Sequence, residues 1–394
     1  MTYSMVLTFK NTLLLWFMLS LFGINYAQNQ IIVGAEQTET YLPLLKDKKI
    51  GVVAHASSLI KTSKGLVHLI DTLQACNVDV AKVFAPEHGF RSKADNGEYI
   101  DNSIDPETQI PIISLHGKNK KPQAQDLNGI ELMVFDIQDV GVRFYTYLST
   151  LHYVMEACAE NKIPLIILDR PNPNAHYIDG PVMEDEFKSF LGKHNVPIVY
   201  GMTLGEYAQM INKEEWLKNK VRCELSVVSI KNYTHQTPYS LVVRPSPNLP
   251  NDQSINLYPS LCLLEQTPVS IGRGTELQFQ IYGHPDFKTL EFKFTPSPNF
   301  GAKYPKQEGI ECYGLDLRKH PKINQIKLRW LIDAYEMIGD KNSFFFDRFK
   351  FIAGTKSLEN QIKKGLSEQE IKASWKPKID VFKKTRVKYL LYAD

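Results

Sequence analysis

The chain has 394 residues, 43% hydrophobic and 23% charged, with 22 Gly and 22 Pro, an ordinary globular composition that excludes disordered, collagen-like and low-complexity architectures. Forty-six Lys and Arg against 43 Asp and Glu leave a net charge of +3, too balanced for a nucleic-acid binder that works by neutralising phosphates. The length suits two domains, each able to bury its own core.

Residues 1–27 (MTYSMVLTFKNTLLLWFMLSLFGINYA) carry one charge, Lys10, ahead of an apolar run from Thr12 to Ile24. That run is short for a membrane span and ends in a small residue, so it reads as a secretory signal peptide. An uncleaved N-terminal anchor is the competing reading. No later stretch approaches membrane length, so the expected product is exported, periplasmic or secreted, with no span after cleavage.

Apolar runs and helical patterns then alternate. KKIGVVAHASS predicts a strand ending near Ser57, followed by Leu66, Leu69, Ile70 and Leu73 at helical spacing. VDVAKVFAPEHGF predicts a second strand ending near Glu87, IPIISLHG a third around Ile112, and GIELMVFDIQDVGVRFY a fourth ending near Asp136. TYLSTLHYVMEACAEN reads as a long helix, IPLIILDRPNP as a strand closed by Pro171 and Pro173, Leu204 to Trp216 as a helix, and RCELSVVSI as a strand. Continuous apolar strands separated by helices predict an α/β fold, a Rossmann-like, largely parallel sheet with helices on both faces, over residues 28–244. From Pro245 the texture changes. RPSPNLPNDQSINLYPS reads as a connector or ordered loop, LEFKFTPSP and IECYGLDLR as strands, and Ile323 to Ile338 as a helix. Ser367 with Glu370 forms a capping box opening another helix, with Pro377 as a kink. Residues 245–394 are assigned to a smaller α+β C-terminal domain that completes a cleft.

Several cofactor classes lack their signatures. The one Gly cluster, Gly272-Arg273-Gly274, lies outside the first domain, and no dinucleotide fingerprint follows any strand, so no nucleotide cofactor is implied. The ten His are scattered and the carboxylates lack calcium-loop spacing, so no metal is expected. No GxSxG elbow supports a serine-hydrolase triad. Five cysteines show no metal pattern and cannot all pair within one chain; Cys76 and Cys158, in apolar helical patterns, read as buried free thiols.

In an open parallel sheet, ligands bind beyond the carboxyl ends of the strands. Four predicted strands finish there in polar sequences: His55-Ala56-Ser57-Ser58, Pro86-Glu87-His88-Gly89, Asp136-Ile137-Gln138-Asp139 and Asp169-Arg170-Pro171-Asn172. Their convergence favours a site, with loop capping as the competing reading. Glu87 leads as a catalytic acid, because Pro86 and Gly89 fix its backbone and the flanking Phe84 and Phe90 desolvate it. His88 hydrogen-bonds beside it or serves as a base. Asp136 and Asp139 either meet the substrate, one as a second catalytic carboxylate, or cap a helix or pair with Arg143. Ser57 and Gln138 belong to the same edge. Arg143 and Tyr145 have the character of binding groups, a fork for a carboxylate and a phenol with a stacking face. Asp169 and Arg170 are ligand groups or a structural ion pair; Asn172 faces ligand. Glu206 opens a helix, where the dipole alone favours a carboxylate.

PEHGF (86–90), FDIQDVGVRFYTY (135–147), LDRPNPN (168–174), GMTLGE (201–206), LYPSLCLLEQTPVSIGRGT (257–275) and KYLLY (388–392) together resemble, in order and over nearly the whole chain after the leader, a bacterial exported family, the NamZ exo-β-N-acetylmuramidases. The resemblance implies a glycoside hydrolase that releases terminal N-acetylmuramic acid from the non-reducing end of peptidoglycan fragments. It implies a peptidoglycan-derived sugar as partner, no cofactor, and a site in a cleft between the two domains. Glu87 matches the family's proposed catalytic glutamate, and Arg143, Tyr145, Asp169, Arg170 and Asn172 match patterned positions. Glu265, Arg273 and Thr275 match the E-x-T…GRGT segment, although Gln266 stands where the family has Gly and Tyr200 replaces a histidine. For the lactyl carboxylate of the sugar, Arg143, Arg170 and Arg273 are the available partners. The second catalytic group stays open between Asp139, Glu206 and the substrate's own acetamido carbonyl. A non-catalytic binder of cell-wall muropeptides and an amidase or esterase acting on the same polymer are the alternatives.

Overall fold

A computed structural model of the chain describes residues 30–63, 65–87, 89–90 and 101–394; the predicted leader and His88 lie outside them. In chain order the strands of the first half are β1 (Lys49–Ala54), β2 (Leu59–Thr62), β3 (Gly65–His68), β4 (Asp79–Ala85), β5 (Ser103–Ile104), β6 (Pro111–Ser114), β7 (Leu132–Asp136), β8 (Leu165–Leu168) and β9 (Leu225–Val228). Seven of them form one sheet in the order β5-β6-β4-β1-β7-β8-β9, parallel throughout except for the short edge strand β5. The six parallel strands thus follow the doubly wound order 3-2-1-4-5-6, and the winding reverses between β1 and β7.

Both faces of this sheet are apolar because both are covered. Successive side chains of a strand point to opposite faces, and Val53, Phe84, Met133, Phe135 and Ile167 join one buried cluster while Val52, Val83, Val134 and Ile166 join the other. Helices α1 (Thr38–Leu45) and α2 (Leu69–Ala75) cover the second face. The first face carries α3 (Tyr147–Asn161) and α4 (Leu204–Lys213) and then the C-terminal residues, so one apolar cluster runs from Val53 to Tyr389, across the boundary expected at 244/245. The remaining strands, β10 (Ile281–His284), β11 (Phe292–Phe294) and β12 (Cys312–Asp316), form an antiparallel sheet in the order β10-β12-β11. Around it lie α5 (Asp252–Leu261), α6 (Arg329–Met337), α7 (Phe349–Ala353), α8 (Ser357–Lys363) and α9 (Glu368–Arg386). Among the described residues, no helix is long and apolar enough to cross a membrane.

The structure departs from the sequence reading in four places. Leu66 belongs to the β2–β3 hairpin rather than to a helix; the helix begins only at Leu69, where the His68 ring accepts a hydrogen bond from the Ile70 amide. Cys76, expected buried, is exposed past the end of α2, while Cys158 is buried. The helix expected from Ile323 starts at Arg329 instead. The amides of Ile323, Ile326, Lys327 and Leu328 donate to side chains of Asn256, Asp179, Ser260 and Glu368, at 2.8–3.1 Å, so these amides are satisfied without helical hydrogen bonds. The capping box of Ser367 and Glu370 does open α9, which continues through Pro377 to Arg386.

The fourth departure positions the site. The second half of the proline-rich connector is helical: α5 spans Asp252–Leu261 despite Pro259. Asn251 caps it, its side chain accepting from the Ser254 amide at 3.0 Å. Proline cannot donate to the carbonyl four residues earlier, and here the vacancy is filled from outside the helix. Asn174 Nδ2 donates to the Ile255 carbonyl at 3.0 Å and to the Val140 carbonyl at 2.9 Å. One buried amide thereby ties α5 to two loops of the parallel sheet. Asn174→Ala should cost about 1–3 kcal/mol, the penalty for leaving a buried carbonyl unpaired, measured as a shift in urea midpoint. On a Pro259→Ala background, where the helix recovers its own amide donor, the same change should cost measurably less.

Candidate active site

The polar strand ends do converge on one edge of the sheet, but most of their side chains are consumed in fastening loops. Asp136, at the end of β7, receives Arg170 Nε at 2.5 Å and Nη2 at 2.9 Å, both partners buried. Arg170 also donates to the Leu59 carbonyl at 3.0 Å, and Ser58 Oγ donates to the carbonyl of Asp136. Asp136 thus pairs with Arg170 and not with Arg143. Arg143 itself is 1% exposed, and its guanidinium donates to four carbonyls, those of Pro181, Val196, Ile352 and Ala353, at 2.8–3.0 Å. It is a strut between the sheet loops and α7, and burial pushes its pKa down to about 9. Gln138 Nε2 bridges the carbonyls of Asp139 and Pro171, both at 2.8 Å. Asn172 donates to the Met202 carbonyl at 2.8 Å, and its amide lies where a Cβ on Gly141 (φ +76) would fall, which reserves that position for glycine. Ser57 is buried against the His55 ring, Oγ to Nδ1 3.2 Å.

Two further carboxylates receive a distant part of the chain. Asp169 accepts from Thr203 Oγ1 and Tyr392 OH at 2.7 Å and from the Gly205 amide at 2.9 Å. Glu206 closes a capping box with Thr203 at the start of α4. Its other contacts are His235 Nε2 at 2.9 Å and the amides of Leu391 and Tyr392 at 2.8 and 3.2 Å. Every lobe of these carboxylates is engaged, and both residues are buried.

Asp139 is different. Its Oδ2 accepts from the Gly141 amide at 2.7 Å and from the Tyr200 hydroxyl, yet Oδ1 is buried with no hydrogen-bond partner. Burial raises its pKa from 3.8 to about 6, against the opposing pull of Tyr200 and the neighbouring amides. A carboxyl protonated more readily in the folded than in the unfolded chain contributes stability at low pH, and that contribution is lost as pH rises from 3.8 to about 6. Asp139→Asn stays neutral, so its stability relative to the parent should improve across that window, by up to about 3 kcal/mol. Denaturant midpoints of both proteins at either end of the window measure this; parallel profiles would contradict it.

Beyond these fastened residues lies a cavity of about 230 Å³. One wall comes from the parallel sheet: Glu87 follows β4, while Tyr145, Thr146 and Tyr147 lead into α3. Thr146 Oγ1 donates to Glu87 Oε2 at 2.9 Å, which aims the carboxylate. The phenols of Tyr145 and Tyr147 donate to the Pro245 carbonyl, at 2.8 and 3.4 Å, and tie the proline-rich loop to this wall. The opposite wall comes from that loop (Ser246, Asn248), from α5 and its short 3₁₀ continuation (Tyr258, Cys262, Glu265, Gln266), and from Arg273 with Phe279. Arg273 Nε and Nη2 both reach Glu265 Oε1 at 2.6 Å, and the guanidinium lies 5.3 Å from the Phe279 ring centre. Asn248 Oδ1 is buried and without a partner, an acceptor for a ligand N–H or O–H.

Of the residues singled out in the sequence, Glu87, Tyr145, Glu265 and Arg273 line this cavity. Asp139, Glu206, Ser57, Asp136, Gln138, Arg143, Asp169, Arg170 and Asn172 do not. Thr146, Asn248, Tyr258 and Cys262 were not singled out. Tyr258, Cys262 and Glu265 or Gln266 recur at spacings of four and three to four, the signature of one helical face, which was legible once α5 was recognised as a helix.

Comparison with known proteins agrees with this architecture. A family model described as the N-terminal part of exo-β-N-acetylmuramidase NamZ matches residues 50–253, and its C-terminal counterpart matches residues 256–392. The peptidoglycan β-N-acetylmuramidase NamZ of Bacillus subtilis (strain 168) is 34% identical over 375 residues, covering 89% of each chain. Two crystal structures of DUF1343 family proteins from Bacteroides fragilis NCTC 9343 are similar. One is 44% identical with a TM-score of 0.86, covering 93% of this chain and all of its own. The other is 27% identical with a TM-score of 0.80, covering 92% of this chain and 99% of its own.

Proposed function

The chain belongs to the exo-β-N-acetylmuramidase NamZ family, and on that premise we propose that it releases terminal N-acetylmuramic acid from the non-reducing end of peptidoglycan fragments, with Glu87 as general acid. The observation that carries this reading is the cavity itself. Its volume of about 230 Å³ lies below the roughly 300–1,000 Å³ of sites that take larger ligands, so it suits one terminal ring. Its lining pairs a carboxylate on one wall with a carboxylate and a guanidinium on the other.

Glycosidic cleavage needs an acid for the leaving oxygen and a second group at the anomeric carbon. Glu87, oriented by Thr146, supplies the proton. Among the described residues that line the cavity, Glu265 is the second carboxylate, either activating water or attacking the anomeric carbon; participation by the substrate's acetamido group is the route that needs neither. Arg273 takes the lactyl carboxylate, because it lines the cavity, whereas Arg143 and Arg170 are buried outside it with their terminal nitrogens bonded to other parts of the chain. A guanidinium has five N–H groups, and Glu265 occupies two of Arg273's. Residues 1–27 direct export, so N-terminal sequencing of material made in a bacterial host should begin near Gln28.

Incubation with a disaccharide of N-acetylmuramic acid linked β-1,4 to N-acetylglucosamine should release the two monosaccharides; intact substrate at high enzyme concentration would count against the reading. Glu87→Gln should lower kcat by about 10²–10⁴-fold with an unchanged melting temperature. Arg273→Met should raise KM about 10- to 100-fold for the natural disaccharide, but little for an analogue lacking the lactyl group. The anomer that forms first, read by NMR, separates retention from inversion.

A further inference from the structure

A cavity that encloses one ring leaves the sugar on the other side of the scissile bond outside it, on the surface that adjoins the mouth. The segment 296–307 is tied by three fastenings to residues of the far wall or to their neighbours along the chain. Asn248 Nδ2 donates to the Gly301 carbonyl at 2.7 Å. Lys306 Nζ donates to the carbonyls of Leu264, Glu265 and Thr267 at 3.1, 2.7 and 2.6 Å, so it also holds the backbone of the catalytic wall. The Ser297 amide donates to the Gly274 carbonyl at 2.8 Å, beside Arg273. There Gly274 has φ +78, and a Cβ on it would fall 2.6 Å from Pro305. Reciprocal backbone hydrogen bonds between Asn299 and Ala302, both 3.1 Å, close the turn.

Two aromatic rings stand on this braced segment and face solvent. Phe300 is 57% exposed and Tyr304 91%, the most exposed large hydrophobic side chain among the described residues. The segment is fixed by a half-buried lysine and by a glycine in the left-handed region, yet its turn carries two aromatic rings that stay largely exposed. Aromatic faces pack against the apolar C–H face of a pyranose, and a phenol adds a hydrogen-bonding edge. We infer that Phe300 and Tyr304 form a platform for the leaving-group sugar, the ring that follows the terminal N-acetylmuramic acid in a glycan. This inference rests on the muramidase reading and adds a second, external subsite to it.

The test compares two substrates: the natural disaccharide, whose leaving group is a sugar, and N-acetylmuramic acid β-fluoride, whose leaving group has no ring. Tyr304→Ser and Phe300→Ser, singly and together, should raise KM for the disaccharide by about tenfold in the double variant. Turnover of the fluoride and the melting temperature should stay unchanged. Equal losses on both substrates, or none on either, would overturn the platform while leaving the muramidase reading standing. A parent enzyme inactive on both substrates would remove that reading, and the platform with it.

Discussion

A carboxylate taken out of water must have its oxygens occupied, because burying the charge alone costs several kcal/mol. Asp136, Asp169 and Glu206 are all buried at or near the carboxyl edge of the parallel sheet, and this constraint organises the loops above them. Asp136 takes a bidentate arginine and fixes the loop after β8. Asp169 and Glu206 take hydroxyls, amides and a histidine, and fix the start of α4. Only after these loops are set can Glu87, on the loop after β4, face Glu265 and Arg273 across a cavity of defined width. The cavity that carries Glu87 and Glu265 is built on top of a layer of buried ionisable groups that fasten loops.

The fold was legible because its signals are collective. Each parallel strand is an apolar run buried on both faces, a pattern that few other environments produce, and the strand order follows from short right-handed connections. The failures were local and concern hydrogen-bond donors from elsewhere. Pro259 argues against a helix when α5 is read alone; the helix survives because Asn174, 81 residues earlier, serves the orphaned carbonyl. The first turns of the helix expected from Ile323 are lost because four side chains from other segments capture the amides that would have formed them.

The site was legible in location and less so in detail. Polar sequences at strand ends pointed to the edge beside which the cavity with Glu87 lies, and the family motifs carried Glu87, Glu265 and Arg273. Pattern alone does not separate a guanidinium that awaits a ligand from one satisfied by main-chain carbonyls, since every residue supplies a carbonyl. Arg143 and Arg273 look alike in the sequence, yet the first meets four such oxygens and the second meets a carboxylate at a cavity. The neighbours of Glu87 were similarly hidden: Thr146 reads as part of a helix approach, and its hydroxyl matters only because β4 and β7 flank β1 in space.

The anchorage of residues 391 and 392 on Glu206 and Asp169 spans 185–223 positions of sequence. On a ribosome, those two acceptors emerge long before their donors have been made. The parallel sheet therefore cannot finish as an independent early unit while synthesis continues; two of its loop carboxylates must wait in water for the tail. Such long-range closure slows folding, and it leaves these two loops of the parallel sheet incomplete until residues 391 and 392 have docked.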